Sequence, residues 1–146
     1  MSEALYTKDI LRLAVSIPHE ERLVDSDGSA ECRSKSCGSR VAADIVVSAD
    51  GKIANLGVQV NACALGQASA SILAREAIGK TKSQIEQARI QLLMYLSGKS
   101  KEIGRWDKMD LLEPVREHKG RHAAVLLPYD AVLAAFADAH SKMKVV

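Results

Sequence analysis

The residues best suited to chemistry in this sequence are two cysteines, Cys37 and Cys63, each in a short turn of small residues next to a predicted strand. Gly38 follows Cys37 and permits a close approach of the backbone to whatever the sulfur holds. Cys63 precedes an alanine-rich helical pattern, and the free N–H groups at a helix N-terminus favour the thiolate. Because the thiolate is the form that binds metal or attacks sulfur, the two turns indicate metal or sulfur handling. The alternative is that both cysteines are small buried hydrophobic residues.

Two further residues could complete a metal site. Cys32 lies five positions before Cys37, and His122 lies near the predicted start of the last helix. With Cys37 and Cys63 they would form a set of three cysteines and one histidine, a donor set that can bind zinc, but their spacing is not a standard metal-binding signature. The alternatives are that Cys32 is a strand residue facing the core or solvent and that His122 is a solvated residue at a helix start. Because the number of cysteines is odd, ligands, nucleophiles or core residues are a better interpretation than a disulfide framework.

Hydrophobic periodicity predicts the elements that must position these side chains. Residues 29–34 suit a short edge strand, and two better alternating strands flank an Asp50-Gly51 turn to form a hairpin. The predicted helices are 4–17, 64–78, one that begins with a capping box at 81–84 and stops at Gly98, a short one that begins with a cap at 110–113, and 121–142. Pro18 ends the first helical pattern, and Gly79 ends the second.

The order of these elements predicts the fold class. Strands grouped in sequence and followed by helices are typical of an α+β fold, here a small three-stranded antiparallel sheet with several helices packed on one face. A length of 146 residues with 47% hydrophobic residues predicts one domain over residues 1–146. With aromatic residues at only 3%, its core should be aliphatic.

Composition and the absence of motifs exclude several classes of function. A net charge of +2, with basic residues scattered among acidic ones, gives no support to nucleic-acid binding. No apolar run is long enough to span a membrane, and the first residues lack the pattern of a signal peptide, so we expect a cytoplasmic protein. Residues 74–81 satisfy a relaxed phosphate-loop pattern, but the preceding residues are themselves helical, so the match is interpreted as chance. Because no hydrolase or dehydrogenase motif is present, we expect a protein that is not an enzyme.

The two cysteine turns and the hairpin between them resemble a known family. Cys-Gly after a strand, then a hairpin, then the run A-C-A-L-G-Q-A at residues 62–68 is similar to the U-type iron–sulfur cluster assembly scaffolds, the family of IscU, SufU and the N-terminal domain of NifU. The resemblance implies that Cys37 and Cys63 occupy the first two of three cysteine positions. Together with an aspartate, these hold a transient iron–sulfur cluster or zinc. It also implies a cysteine desulfurase as the sulfur donor and cluster-receiving proteins as further partners.

The sequence departs from the family pattern at two positions. Ser39 stands where the family usually has aspartate, and Ala124 stands where the third cysteine is expected. Two functions therefore remain open. In one, the chain is a scaffold that accepts sulfur, iron, a cluster or zinc at Cys37 and Cys63; in the other, it is a degenerate relative that binds or regulates the desulfurase without its own metal. A reactive Cys63 with His122 as its base is a third, weaker hypothesis. The sequence leaves open whether a homo-oligomer completes the site.

Overall fold

The structure is a computed structural model that describes residues 5–35 and 38–144. The strands are β1 (Gly28–Arg33), β2 (Arg40–Val47) and β3 (Ile53–Asn61). The α-helices are α1 (Lys8–Ala14), α2 (Ala64–Glu76), α3 (Lys82–Leu96) and α4 (His122–Lys144). Two 3₁₀ segments, Met109–Glu117 and Lys119–Arg121, lie between α3 and α4.

The three strands form one antiparallel sheet in the order β1-β2-β3, as predicted. Strand β2 is central, and its residues Val41, Ala43 and Ile45 are fully buried because they alternate toward the helices. Strand β1 is an edge strand, and the carboxylate of Asp138 accepts the Ser29 N–H at 2.9 Å. Charged groups of this kind protect a sheet edge from pairing with another chain. The predicted α+β class is confirmed.

The helices cover one face of the sheet. Helix α4 packs against β1 and β2, α2 packs against α4, and α1 and α3 lie outside these two. The apolar side chains of all of these elements form one continuous core. By length and composition, one helical stretch of the described residues, Lys119–Met143, could cross a membrane. Its most apolar window is 61% buried inside the protein, which is the burial expected of a core helix.

Two helix predictions require correction. Helix α1 begins later than predicted because the Thr7 side chain accepts the Ile10 N–H at 3.2 Å and fixes the N-terminus there. The cap predicted at 110–113 is wrong. The segment Met109–Glu117 is a 3₁₀ helix that follows Lys108 in a left-handed conformation. Pro114 lies inside this segment, and a residue without an N–H interrupts α-helical hydrogen bonding.

The middle of the outer sheet face is covered by the loop between α1 and β1 (residues 15–27) rather than by helices. Asp44 points to this side with only 1% of its side chain exposed. Its carboxylate accepts Arg22 Nε at 2.7 Å, Arg22 Nη2 at 2.9 Å and the Leu23 N–H at 2.9 Å, and it also accepts the Ser29 hydroxyl. Burial raises the pKa of Asp44, but the hydrogen bonds from Arg22, Ser29 and Leu23 outweigh burial and lower it to about 2. The ion pair anchors this loop to the sheet.

Candidate functional site

Cys63 lies where β3 turns into α2, the position that the sequence predicts. It is the N-cap residue of α2, with extended backbone angles, and its carbonyl oxygen accepts the Gln67 N–H at 2.9 Å. Its side chain makes no capping hydrogen bond. The residue is partly buried and packs against the edge of the core.

Cys37 lies outside the described residues, but its described neighbours in sequence define one end of the sheet. The Gly38 N–H donates to Ser34 O at 3.0 Å, and the Ser34 N–H donates to Ser39 O at 2.9 Å. Arg40, the first residue of β2, pairs directly with Asn61, the last residue of β3. The β1–β2 connection that carries Cys37 in sequence therefore begins and ends at the same sheet end as the Cys63 turn.

Ser39 and Ala124, the two positions that depart from the family pattern, are both buried. Ser39 is 4% exposed, and its carbonyl oxygen closes the β1–β2 connection as described above. Ala124 is 1% exposed and lies in the first turn of α4. A Cβ added to Gly66 would lie 3.7 Å from Ala124 Cβ and 3.4 Å from Ala124 O. The structure therefore places Ala124 against the first turn of the helix that Cys63 caps.

Small residues make this helix contact possible. A Cβ on Gly66 would lie only 2.8 Å from Ala62 Cβ, so glycine is needed for the turn to close against α2. One turn further along α2, the buried Ser69 hydroxyl donates to Val125 O at 2.5 Å. This hydrogen bond holds the first turn of α4, which carries the methyl group of Ala124, against the first half of α2.

His122 is used structurally. Its Nε2 lies 3.0 Å from Val115 O and 3.1 Å from Arg116 O, so the ring ties the start of α4 to the end of the preceding 3₁₀ helix. Two carbonyl oxygens require a donor, so Nε2 carries a proton and is not available as a ligand. His122 could therefore act as a metal ligand only through Nδ1.

Cys32 lies on the helix-facing side of β1, opposite Val41, and is half-buried against the core. Burial raises the pKa of the Cys32 thiol, and the nearby carboxylates of Asp130 and Glu31 raise it further. A raised pKa favours the protonated thiol, which is a poor ligand and nucleophile. This environment fits the interpretation of Cys32 as a core-facing strand residue better than its interpretation as a ligand.

The described residues do not assemble a metal site on their own. No group of three or more histidine, cysteine, aspartate or glutamate side chains within residues 5–35 and 38–144 is placed to hold a metal ion. The candidate set of Cys32, Cys37, Cys63 and His122 therefore stays a prediction, because Cys37 lies outside the described residues.

One feature of this end of the molecule was missed from the sequence. Arg33 and Arg40 pair directly across β1 and β2 on the outer face of the sheet. This pairing could have been predicted from the sequence, because the two arginines flank residues 34–39 symmetrically and antiparallel strands place such residues opposite each other.

Comparisons with solved structures give strong matches. The crystal structure of a nitrogen-fixing NifU-like protein (N-terminal) from Brucella abortus matches with a TM-score of 0.89 and 36% identity, over 97% of this chain and 98% of that chain. A candidate iron–sulfur cluster assembly scaffold protein for the SUF system from Fervidobacterium islandicum AW-1 matches with a TM-score of 0.84 and 20% identity. That match covers 93% of this chain and 99% of that chain, and at this identity it shows the fold alone. No protein-family profile and no curated protein matches this chain.

Proposed function

Because the chain belongs to the U-type iron–sulfur cluster assembly scaffold family, we propose that it is a scaffold-like carrier that accepts sulfur at Cys63 and Cys37. The observation that carries the proposal is the position of Cys63 as the N-cap residue of α2, only partly buried, on a fold matched along almost its whole length. The resemblance noted in the sequence is therefore confirmed.

Sulfur acceptance requires only an accessible thiol and a donor. In the proposed step, the Cys63 thiolate attacks the outer sulfur of a cysteine persulfide on a desulfurase. The sulfur–sulfur bond of the donor breaks, the donor cysteine leaves as a thiolate, and Cys63 becomes the persulfide, with no net oxidation or reduction. The chain acts as a carrier in this step and not as an enzyme.

Iron, a nascent cluster or zinc would be cargo at this end of the molecule. Closed tetrahedral zinc sites use four protein ligands, and clusters are held by thiolates. Cys63 and Cys37 supply two thiols, whereas Ala124 offers a methyl group and Ser39 a neutral hydroxyl in place of a carboxylate. This donor set suits brief holding of sulfur or metal, or a site completed by a second protein, better than a tight site built by this chain alone.

Transfer of labelled sulfur tests the proposal. The protein is incubated anaerobically with the cysteine desulfurase of the same organism and sulfur-labelled L-cysteine, and the persulfide is mapped by mass spectrometry. We expect label on Cys63 and Cys37 in the wild type and a lower total label in Cys63→Ala, whereas Cys32→Ala, the matched control at a core-facing cysteine, keeps the wild-type total. Wild-type protein that takes no sulfur and binds no iron or zinc under these conditions would refute the proposal.

A second function has its own structural support. Ala124, 1% exposed against Gly66, leaves the predicted third ligand position without a donor atom. A relative that has lost cluster assembly would bind or regulate the desulfurase through its surface. In that case the double variant Cys37→Ala/Cys63→Ala would still bind the desulfurase and change its rate, and loss of both effects would count against this function.

Reconstitution separates the two functions further. Iron and sulfide are added anaerobically to the wild type, to Ala124→Cys and to Ala123→Cys, the last being a control at the exposed neighbouring position. If Ala124 is the position that prevents stable assembly, Ala124→Cys develops cluster absorption, and the wild type and Ala123→Cys do not. Equal absorption in all three proteins would show that Ala124 is not the limiting position.

A further inference from the structure

The outer face of the sheet is covered in its middle but open at the Cys63 end. In the row Ser29–Asp44–Gly57, a Cβ added to Gly57 would lie 2.4 Å from Glu21 O and 3.0 Å from Leu23 Cγ, so the loop between α1 and β1 rests directly on the sheet. In the next two rows toward Cys63, the outer side chains are exposed except for the buried Ala42 and the half-buried Arg40. These rows are Glu31–Ala42–Gln59 and Arg33–Arg40–Asn61.

The open rows form a shallow polar depression of about 280 Å³. It is lined by Glu31, Arg40, Ala42, Gln59, Val60 and Asn61. The small side chain of Ala42 forms its floor, and the longer polar side chains around it form its rim. Asn61 is two residues before Cys63, so a protein that contacts the Cys63 thiol passes beside this depression.

The two arginines beside the depression, Arg33 and Arg40, repel each other in the isolated chain. Arg33 and Arg40 are directly opposite each other, and like charges in a cross-strand pair repel. Glu31 Oε1 accepts Arg33 Nε at 3.2 Å and compensates one guanidinium. Arg40 has no ion pair with any residue of the described ranges. A local cost without a structural gain is typical of a residue kept for function.

We propose that Arg33, Arg40 and the amides of Gln59 and Asn61 dock an acidic segment of the protein that delivers sulfur to Cys63. The Arg40 guanidinium pairs with a carboxylate of the partner, Arg33 adds positive charge beside it, and the two amides bind the partner's polar groups. This inference rests on the proposed function, since it names the docking surface for the sulfur donor.

Charge reversal tests the docking surface. The double variant Arg33→Glu/Arg40→Glu is compared with Lys52→Glu/Lys82→Glu, which makes the same change in net charge at exposed lysines at the hairpin end of the sheet. Affinity for the cysteine desulfurase is measured by calorimetry at low and high salt. We expect the first variant to bind at least about tenfold more weakly at low salt, with the difference shrinking as salt screens the charges, and the control to bind like the wild type.

Sulfur transfer gives a second readout. Because Cys63 is unchanged, labelling of Cys63 in the double variant should slow at limiting desulfurase and return to within about twofold of the wild type at saturating desulfurase. Should the double reversal fail to fold in circular dichroism, Arg33→Gln/Arg40→Gln replaces it, with an expected loss of about threefold in affinity.

The outcomes separate this inference from the proposed function. A wild type that neither binds the desulfurase nor takes sulfur from it refutes the proposed function. A wild type that binds, with both double variants binding equally well, overturns the docking surface and leaves the proposed function standing. Binding of a single-stranded oligonucleotide that is lost in Arg33→Glu/Arg40→Glu, with desulfurase binding unchanged, also overturns it.

Discussion

The outer face of the sheet carries charged residues in two different environments. The row of Asp44 and the row of Arg33 and Arg40 are separated by one row, Glu31–Ala42–Gln59. In the covered half, Asp44 is 1% exposed and its carboxylate is fully occupied by Arg22, the Leu23 N–H and the Ser29 hydroxyl. In the open half, Arg33 and Arg40 carry the same sign; Arg33 is exposed and Arg40 is half-buried. The covered charge is satisfied within the chain and serves stability. The charge of Arg40 has no ion-pair partner among the described residues, and it is the charge on which the proposed docking depends.

The loop determines where one half ends and the other begins. It can rest on the sheet at Gly57 because that residue has no side chain, and the Val58 N–H donates to His19 O at 2.9 Å beside it. Gln59, the next residue that points outward on β3, is exposed. If this division is correct, substitutions in the covered half change the free energy of unfolding, and substitutions in the open half change partner binding.

The largest effect is expected for Asp44→Asn. The substitution removes a carboxylate that is buried and hydrogen-bonded to a charged partner, and we expect a loss of about 2 to 3 kcal/mol in the free energy of unfolding. Urea denaturation at neutral pH measures it. The control is Asp50→Asn, at an exposed aspartate in the hairpin turn, with an expected change below about 0.5 kcal/mol. Equal losses in the two variants would contradict the distinction between covered and open charge.

Acid should unfold the protein partly through the same carboxylate. The pKa of Asp44 is lowered to about 2 in the folded chain, so its contribution is complete above the unfolded pKa of about 4 and is lost as the pH falls from about 4 to about 2. The expected loss is about 2 kcal/mol. Urea denaturation of the wild type and Asp44→Asn across this range measures the difference between them. Parallel curves for the two proteins would show that Asp44 is not responsible.

Gly57→Ala tests the boundary between the halves. The new Cβ would lie 2.4 Å from the backbone oxygen of Glu21, so the loop must move away, at an expected cost of about 2 kcal/mol. Hydrogen exchange of the Leu23 N–H, which Asp44 accepts, should accelerate with it. Gln59→Ala, on the same face of the same strand, is the control and should change neither quantity. An unchanged Leu23 N–H in Gly57→Ala would show that the loop does not depend on this contact.

The sheet was predictable from the sequence because its signals are local. Alternation in β2 and β3 and the Asp50-Gly51 turn define the hairpin, and the reciprocal capping of Thr81 and Gln84 marks the start of α3 as expected. The 3₁₀ segment was not predictable in the same way, because Pro114 and the left-handed Lys108 act against a cap pattern that looked complete. Local patterns predict an element well only where no competing signal lies within it.

The surroundings of the candidate site depend on contacts between distant parts of the chain. The position of Cys63 at a helix start follows from neighbouring residues, but the burial of Ala124 follows from the crossing of α4 over Gly66. Likewise, Asp44 reads as a solvent-facing strand residue until the loop that carries Arg22 is placed over it. Such contacts between residues far apart in sequence have no periodic signal.

The smallest effect on stability is expected in the open half, from Arg40→Gln. Removing one charge of the Arg33–Arg40 pair relieves repulsion, so the free energy of unfolding should rise by up to about 0.5 kcal/mol at low salt. High salt screens the repulsion and should remove this gain. Glu31→Gln, which removes the carboxylate beside Arg33, should act in the opposite direction. Urea denaturation at two salt concentrations measures all three proteins. A loss above about 1 kcal/mol in Arg40→Gln would show that Arg40 stabilises the fold, which would leave no open charge for a partner to satisfy.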